Sequence, residues 1–243
     1  GKSVFHGLRD YNPIASSICR LTNTSTEVAQ VVHGIGYGSY IITVQHLFRV
    51  NNGTLKVQSR HGEFICQNTT QLKMFSCEER DVLIIQMPKD FPPFPTKLQF
   101  RAPKAGESVV MVGGNFQQKS FSSMVSEVSQ ISQRETTHYW KHFISTKKGD
   151  CGFPLVSTVD GSIVGIHTLE AIQCSYNYFT SVPENFKAGY LDNAEAHEWT
   201  KNWSFNVKNI GYGSLKIVRE VPSGMFHPAK LVSDLADETV REQ

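Results

Sequence analysis

The sequence predicts an all-β protein arranged as two antiparallel barrels. Short apolar stretches rich in Val, Ile, Phe and Tyr recur between Gly, Asn and Pro turn signals, the pattern of a hairpin-rich β protein. A proline-dense stretch, Pro88-Lys-Asp-Phe-Pro-Pro-Phe-Pro95, divides these strands into two sets, because proline cannot donate to a ladder and stiffens the chain. Each set covers roughly a hundred residues, which suits one small barrel apiece.

In the first set, Ser17–Leu21, Val28–His33, Ser39–Thr43, Leu55–Ser59 and Glu63–Gln67 read as strands. Asn52-Gly53 and His61-Gly62 suit tight turns that need a positive φ. Gly34-Ile-Gly-Tyr-Gly38 has neither the spacing nor the following helix of a dinucleotide loop, and is expected to be a strand kink or bulge. Val82–Met87 is nearly continuous in apolar residues, so a buried strand is expected. The second set comprises Val109–Val112, Phe121–Ser129, Tyr139–Ile144, Pro154–Ser157, Ser162–Thr168 and Tyr176–Ser181, with Gly213–Val218 as a last candidate. Trp199 and Trp203 lie four apart, which favours a helix over Ala194–Trp203. Leu231–Gln243 is read as a loose tail or short helix. The resulting division is a first barrel over 1–95, a linker over 96–106, a second barrel over 107–220 and a tail over 221–243.

Composition narrows the function. The 243 residues are 40% hydrophobic and 19% charged, enough for a sizeable core. A net charge of +2 and a pI near 8.3 are too mild for a dedicated nucleic-acid binder. No apolar run approaches the ~18 residues that suggest a membrane span, and the N-terminus has no signal-peptide core. A starting Met is absent, so a segment of something longer is expected. The five cysteines, at 19, 66, 77, 151 and 174, include no C-x-x-C pair. That argues against a metal or redox centre and for a reducing compartment. No cofactor, metal or membrane partner is expected.

The chemistry-bearing stretch is Thr146-Lys-Lys-Gly-Asp-Cys-Gly152, followed by Gly165-Ile-His167. A thiolate is a strong nucleophile at neutral pH once an imidazole holds it ionised. Gly149 and Gly152 let the backbone bend so that the N–H groups of Gly149 and Cys151 converge on one point, as an oxyanion hole requires. A buried structural cysteine in a turn is the competing reading. His46 lies in Tyr40-Ile-Ile-Thr-Val-Gln-His-Leu-Phe48, delivered by an apolar strand, and Asp81 directly precedes Val82-Leu-Ile-Ile85. Taken alone, each reads as an ordinary half-buried histidine or strand-capping aspartate. In the order His46, Asp81, Cys151 they read as base, orienting acid and nucleophile. Asp150 is not the acid, because neighbouring side chains point away from each other.

The same order, together with Arg9-Asp-Tyr-Asn-Pro13, His46-Leu-Phe-Arg49, Met87–Pro95, Asn115-Phe-Gln-Gln-Lys-Ser120 and Trp140-Lys-His142, resembles the nuclear inclusion a (NIa) proteases of potyviruses, the tobacco etch virus protease family. The resemblance covers essentially the whole chain. It implies a chymotrypsin-like double barrel with cysteine in the serine's place and cleavage of a viral polyprotein after glutamine. It further implies that Thr146 and His167 hold the substrate glutamine, and that Leu169, Glu170, Asn177, Tyr178, Ile210, Tyr212, Leu215 and Ile217 line the rest of the cleft. The chain departs from the family at several places. Lys148 stands where an acid is common, Asp150 where an uncharged residue is, and Glu170 and Tyr176 where small or amide residues are usual. Tyr212 replaces a tryptophan. The terminal Glu238-Thr-Val-Arg-Glu-Gln243 has the form of a cleavage site's non-primed half, which makes self-cleavage at Gln243 an expectation. A module that binds RNA or the replication machinery, with weak or no proteolysis, is the alternative, as is a catalytically dead scaffold.

Overall fold

The computed structural model describes residues 9–25, 29–48, 53–77, 80–117, 120–133, 138–183, 186–187, 200–201 and 240–243. After a single helical turn, α1 (Asn12–Ala15), come β1 (Ile18–Thr24), β2 (Ala29–Tyr37), β3 (Tyr40–Val44), β4 (Thr54–Ser59), β5 (Gly62–Cys66), β6 (Lys73–Cys77) and β7 (Val82–Gln86). Then follow β8 (Ser108–Gln117), β9 (Ser120–Val125), β10 (Ser129–Gln130), β11 (Ser132–Gln133), β12 (Tyr139–His142), β13 (Pro154–Ser157), β14 (Ile163–Ala171) and β15 (Asn177–Thr180). Two short strands complete the described set, β16 (Thr200–Lys201) and β17 (Val240–Glu242). The first sheet runs β16-β6-β7-β3-β2-β1-β4-β5, and the second runs β10-β8-β13-β14-β15-β12-β11, with β17 added to β14 and β9 to β8. The named strand pairs are antiparallel throughout. The chymotrypsin-like two-barrel architecture is thus present.

Patterning explains the strands. β4 alternates half-buried and buried residues along its length, the signature of one face on the core and one outward. β7 is flanked on both sides, by β6 and β3, and its Val82, Leu83, Ile84 and Ile85 are fully buried. Each such side chain contributes about 1.5–3 kcal/mol of burial. One apolar cluster runs continuously from β1 and β3 through Phe91, Phe94 and Phe100 into β8, β13 and β14. The barrels therefore share a packed interface, and the active-site groups converge along it.

The structure corrects several expectations. No kink occurs at Gly34–Tyr37, where β2 stays in unbroken register with β3. Glycine is needed there for close packing instead, since a Cβ on Gly36 would sit 2.2 Å from the Phe94 ring. The segment expected to link the barrels is itself packed, with Leu98 and Phe100 buried and Ile163 N–H donating to the Gln99 carbonyl at 2.9 Å. Thr200 and Lys201 are extended and pair with β6, so the helix expected over Ala194–Trp203 does not include them. Ladder bonds to a sheet edge satisfy their backbone there. They also join the first sheet, although the second barrel was expected to run to 220. Strand β6 was not anticipated from the sequence. The tail's last residues are neither loose nor helical, because β17 pairs with β14. The candidate strand Gly213–Val218 lies outside the described residues.

Candidate active site

His46 sits in a 3-10 turn, Gln45–Phe48, at the end of β3. Asp81 occupies the turn before β7 with φ 52, a left-handed conformation that aspartate tolerates better than bulkier residues. That unusual backbone is held from both sides. The Gln45 N–H donates to the Asp81 carbonyl at 3.0 Å and the His46 N–H to Asp81 Oδ1 at 3.0 Å. His46 Nδ1 donates to Asp81 Oδ2 at 2.7 Å, and the Thr168 hydroxyl donates to the same oxygen at 2.6 Å. Thr168 lies on β14, so the second barrel helps to fix an acid of the first. With Nδ1–H committed to the carboxylate, the other ring nitrogen faces the thiol. His46 Nε2 lies 3.2 Å from Cys151 Sγ. Burial alone would lower the imidazole pKa, but the carboxylates of Asp81 and Glu242 outweigh it and hold it well above the usual histidine range. Burial pushes the Cys151 thiol up, and His46 pulls it back. Proton transfer from sulfur to nitrogen can thus run along an existing hydrogen bond.

The nucleophile loop is clamped between the barrels. The His33 N–H on β2 donates to the Cys151 carbonyl at 2.8 Å, and His33 Nδ1 donates to the Gly149 carbonyl at 2.6 Å. The His33 ring also stacks on Phe153 at 4.0 Å. Gly152, at φ 93, passes so close to β2 that a Cβ would lie 1.6 Å from the His33 carbonyl oxygen. Only glycine fits this approach. Within the loop, the buried Asp150 carboxylate accepts from the Lys147 N–H at 2.9 Å. It acts on the loop's shape and takes no part in orienting His46, as its position beside the nucleophile predicts.

The cleft holds the chain's own last residues. β17 pairs with β14 in the register Leu169↔Glu242, Glu170↔Arg241 and Ala171↔Val240. Gln243 N–H then donates to the Thr168 carbonyl at 3.1 Å, and Gly149 N–H donates to the Gln243 main-chain oxygen at 3.0 Å. The glutamine side chain enters a pocket whose polarity matches it atom by atom. The Thr146 hydroxyl and His167 Nε2 both donate to Gln243 Oε1, each at 2.6 Å. The amide Nε2 donates to Glu170 Oε2 at 2.8 Å. The His167 tautomer follows from a relay. Ile144 N–H donates to His142 Nδ1 at 3.1 Å, so His142 carries its proton on Nε2 and donates to His167 Nδ1 at 3.0 Å. His167 must then present Nε2–H to the carboxamide oxygen. Burial lowers His167 to about 4 and His142 well below the usual range, so both rings stay neutral near pH 7.

His46, Asp81 and Cys151 meet, and Thr146, His167 and Glu170 surround one carboxamide. Leu169 and Tyr178 pack with Val240 in a small apolar cluster that includes Ala171 and Tyr139. Asn177 donates to the Ile144 carbonyl at 2.8 Å, bracing the segment before Thr146. The amide of Gly149 donates to the Gln243 main-chain oxygen at 3.0 Å. Ile210, Tyr212, Leu215 and Ile217 lie outside the described residues. Sequence reasoning missed the roles of Thr168, His142 and His33. Of these only His142 carried a signal, inside Trp140-Lys-His142, and nothing in that motif pointed to a partner.

The comparisons agree with this geometry. The model of peptidase family C4 matches residues 1–233. The genome polyprotein of Turnip mosaic virus (strain Japanese) is 52% identical over 241 residues, 99% of this chain and 8% of the relative, so the chain spans a small part of that polyprotein. A catalytically active tobacco etch virus protease complexed with product is 50% identical with a TM-score of 0.76, covering 85% of this chain and 89% of that one. The tobacco vein mottling virus protease is 52% identical with a TM-score of 0.75, covering 84% and 94%. The chain therefore belongs to peptidase family C4, as a cysteine endopeptidase of chymotrypsin-like fold.

Proposed function

We propose that this endopeptidase cleaves a viral polyprotein on the carboxyl side of glutamine, with Cys151 as nucleophile, His46 as general base and acid, and Asp81 as the group that orients His46. The observation that carries this reading is the seat of Gln243. Its carboxamide oxygen takes two donors, its amide one acceptor, and its main-chain carbonyl bonds to the loop that bears Cys151. The likeness to a protease complexed with product supports it.

The geometry orders the steps. His46 Nε2 takes the thiol proton and the sulfur attacks the scissile carbonyl. The amides of Gly149 and Cys151 hold the developing oxyanion, a contribution worth roughly 3–4 kcal/mol per donor in such sites. The imidazolium, held by Asp81, then protonates the leaving amine. Water repeats the sequence on the thioester. Glutamate at the cleaved position would bring a carboxylate against Glu170, and leucine would leave Thr146, His167 and Glu170 without partners. Groups left unpaired in this way discriminate strongly.

The test is cleavage of a peptide carrying Thr-Val-Arg-Glu-Gln before a small residue. Replacing Cys151 by Ala should abolish turnover while circular dichroism stays unchanged. Undiminished turnover by that variant would remove the nucleophile assignment.

A further inference from the structure

We propose that Glu170 couples two specificity positions, reading the glutamine amide and a basic side chain two residues before it, so that the enzyme selects substrates with Arg or Lys at P3. This rests on the glutamine-directed reading above and extends it to a second substrate position.

The strand geometry brings the three groups together. Side chains two apart on a strand share a face. Arg241 and Gln243 therefore point one way, and Val240 and Glu242 the other. Val240 is buried in the apolar cluster, and Glu242 approaches His46 Nδ1 at 3.6 Å. Glu170 lies directly opposite Arg241 in the β14–β17 register. Its Oε1 accepts from Arg241 Nε at 2.6 Å and also from Arg241 Nη2. Its other oxygen accepts from Gln243 Nε2 at 2.8 Å. One carboxylate thus divides its two oxygens between P1 and P3. A small or amide residue at this place has no charge to offer the guanidinium, so the preference is a consequence of this chain's own glutamate. The Glu170 side chain is 20% exposed and that of Arg241 61%. The ion pair is accordingly open to solvent and its effect modest and salt-sensitive.

The experiment measures kcat/KM for peptides that share Thr-Val-X-Glu-Gln, with X as Arg, Ala or Glu, and for Thr-Val-Arg-Glu-Leu as the P1 control, on the full chain and on Glu170→Gln and Glu170→Arg. The unaltered enzyme should prefer Arg over Glu by about tenfold, combining attraction with like-charge repulsion, and the ratio should shrink in high salt. Glu170→Gln replaces a charged acceptor of the P1 amide by a neutral one, so cleavage after glutamine should slow for every peptide of the series while the P3 ratio flattens. Glu170→Arg should invert the ratio. The substrate series on the unaltered enzyme tests the proposal even if a variant misfolds. Equal rates for Arg and Glu, a ratio indifferent to salt, or a ratio retained in Glu170→Gln would overturn the Glu170 reading alone. Equal cleavage after glutamine and leucine at P1 would overturn the glutamine reading and this one with it.

Discussion

The seam between the barrels and the specificity pocket inside the second barrel each enclose a histidine, and the two imidazoles respond oppositely. His46 is 2% exposed and is held well above the usual histidine range, whereas His167 is 0% exposed and falls to about 4. Burial pushes both down, because it disfavours the charged form. The difference is the company. His46 faces the carboxylates of Asp81 and Glu242. His167 faces a neutral imidazole and a neutral carboxamide. The seam thus surrounds its imidazole with negative charge, whereas the two ring nitrogens of His167 meet neutral dipoles.

Removing the charge at the seam gives the largest effect. Asp81→Asn leaves the shape in place but no longer compensates an imidazolium. It also turns one donor against His46 Nδ1–H, unless the ring adopts the wrong tautomer. We expect kcat to fall by on the order of 10³–10⁴, as for the corresponding change in serine proteases, and the His46 pKa to drop. Stopped assays and NMR titration of the ring check both. A small loss would mean that Asp81 holds the backbone of the turn and little else.

Gly152→Ala tests the seam's closeness. The added Cβ would lie 1.6 Å from the His33 carbonyl oxygen, in a left-handed backbone as well. We expect destabilisation of about 2–4 kcal/mol, from strain and the displaced clamp, read by denaturant midpoint. Near-unchanged stability would mean that the barrels part easily at this point.

The pocket is tested by His142→Phe, which removes the donor that fixes the His167 tautomer and leaves the Ile144 N–H unpaired. We expect preference for glutamine over glutamate at P1 to fall by roughly 10-fold or more, with KM changing more than kcat. In the unaltered enzyme the preference for glutamine over leucine, whose side chain does not titrate, should hold as pH falls until His167 protonates around 4. A preference that fades near pH 6.5 would show that His167 titrates as an exposed ring does.

These contrasts also show which parts were legible in the sequence. Strands β3, β7 and β13 were readable as apolar runs bounded by turn residues, β4 through Leu55 and Val57 alternating with polar residues, and β2 only as far as His33. β6, with Lys73 and Ser76 among its five residues, offered a weaker pattern and went unseen. The triad was legible through order and flanking strands, since Asp81 abuts β7 and His46 follows β3. The supports were not. Thr168 reaches Asp81 across 87 positions and His33 reaches Gly149 across 116. A threonine on a buried strand looks like any other until the barrels are docked. The charge state of the two histidines was equally hidden, because it depends on neighbours that only the fold supplies.

The smallest expected effect lies where the substrate itself enters the seam. Glu242 Oε2 approaches His46 Nδ1 at 3.6 Å, and its carboxylate is among the groups that raise the imidazole pKa. Position P2 of a bound peptide therefore adjusts the base. With glutamate there, the imidazolium is favoured and the ring gives up its proton only at higher pH. With glutamine there, that second carboxylate is gone and Asp81 and Cys151 remain to favour the charged ring. The limb of the kcat–pH profile set by His46 should accordingly sit at higher pH for a peptide ending Val-Arg-Glu-Gln at the cleaved bond than for one ending Val-Arg-Gln-Gln. The corresponding profile of kcat/KM reports the free enzyme and should not depend on the peptide. Superimposable kcat profiles would place the P2 carboxylate outside the field of the base. A shift in the opposite direction would mean that desolvation of His46 by the bound peptide outweighs the added charge.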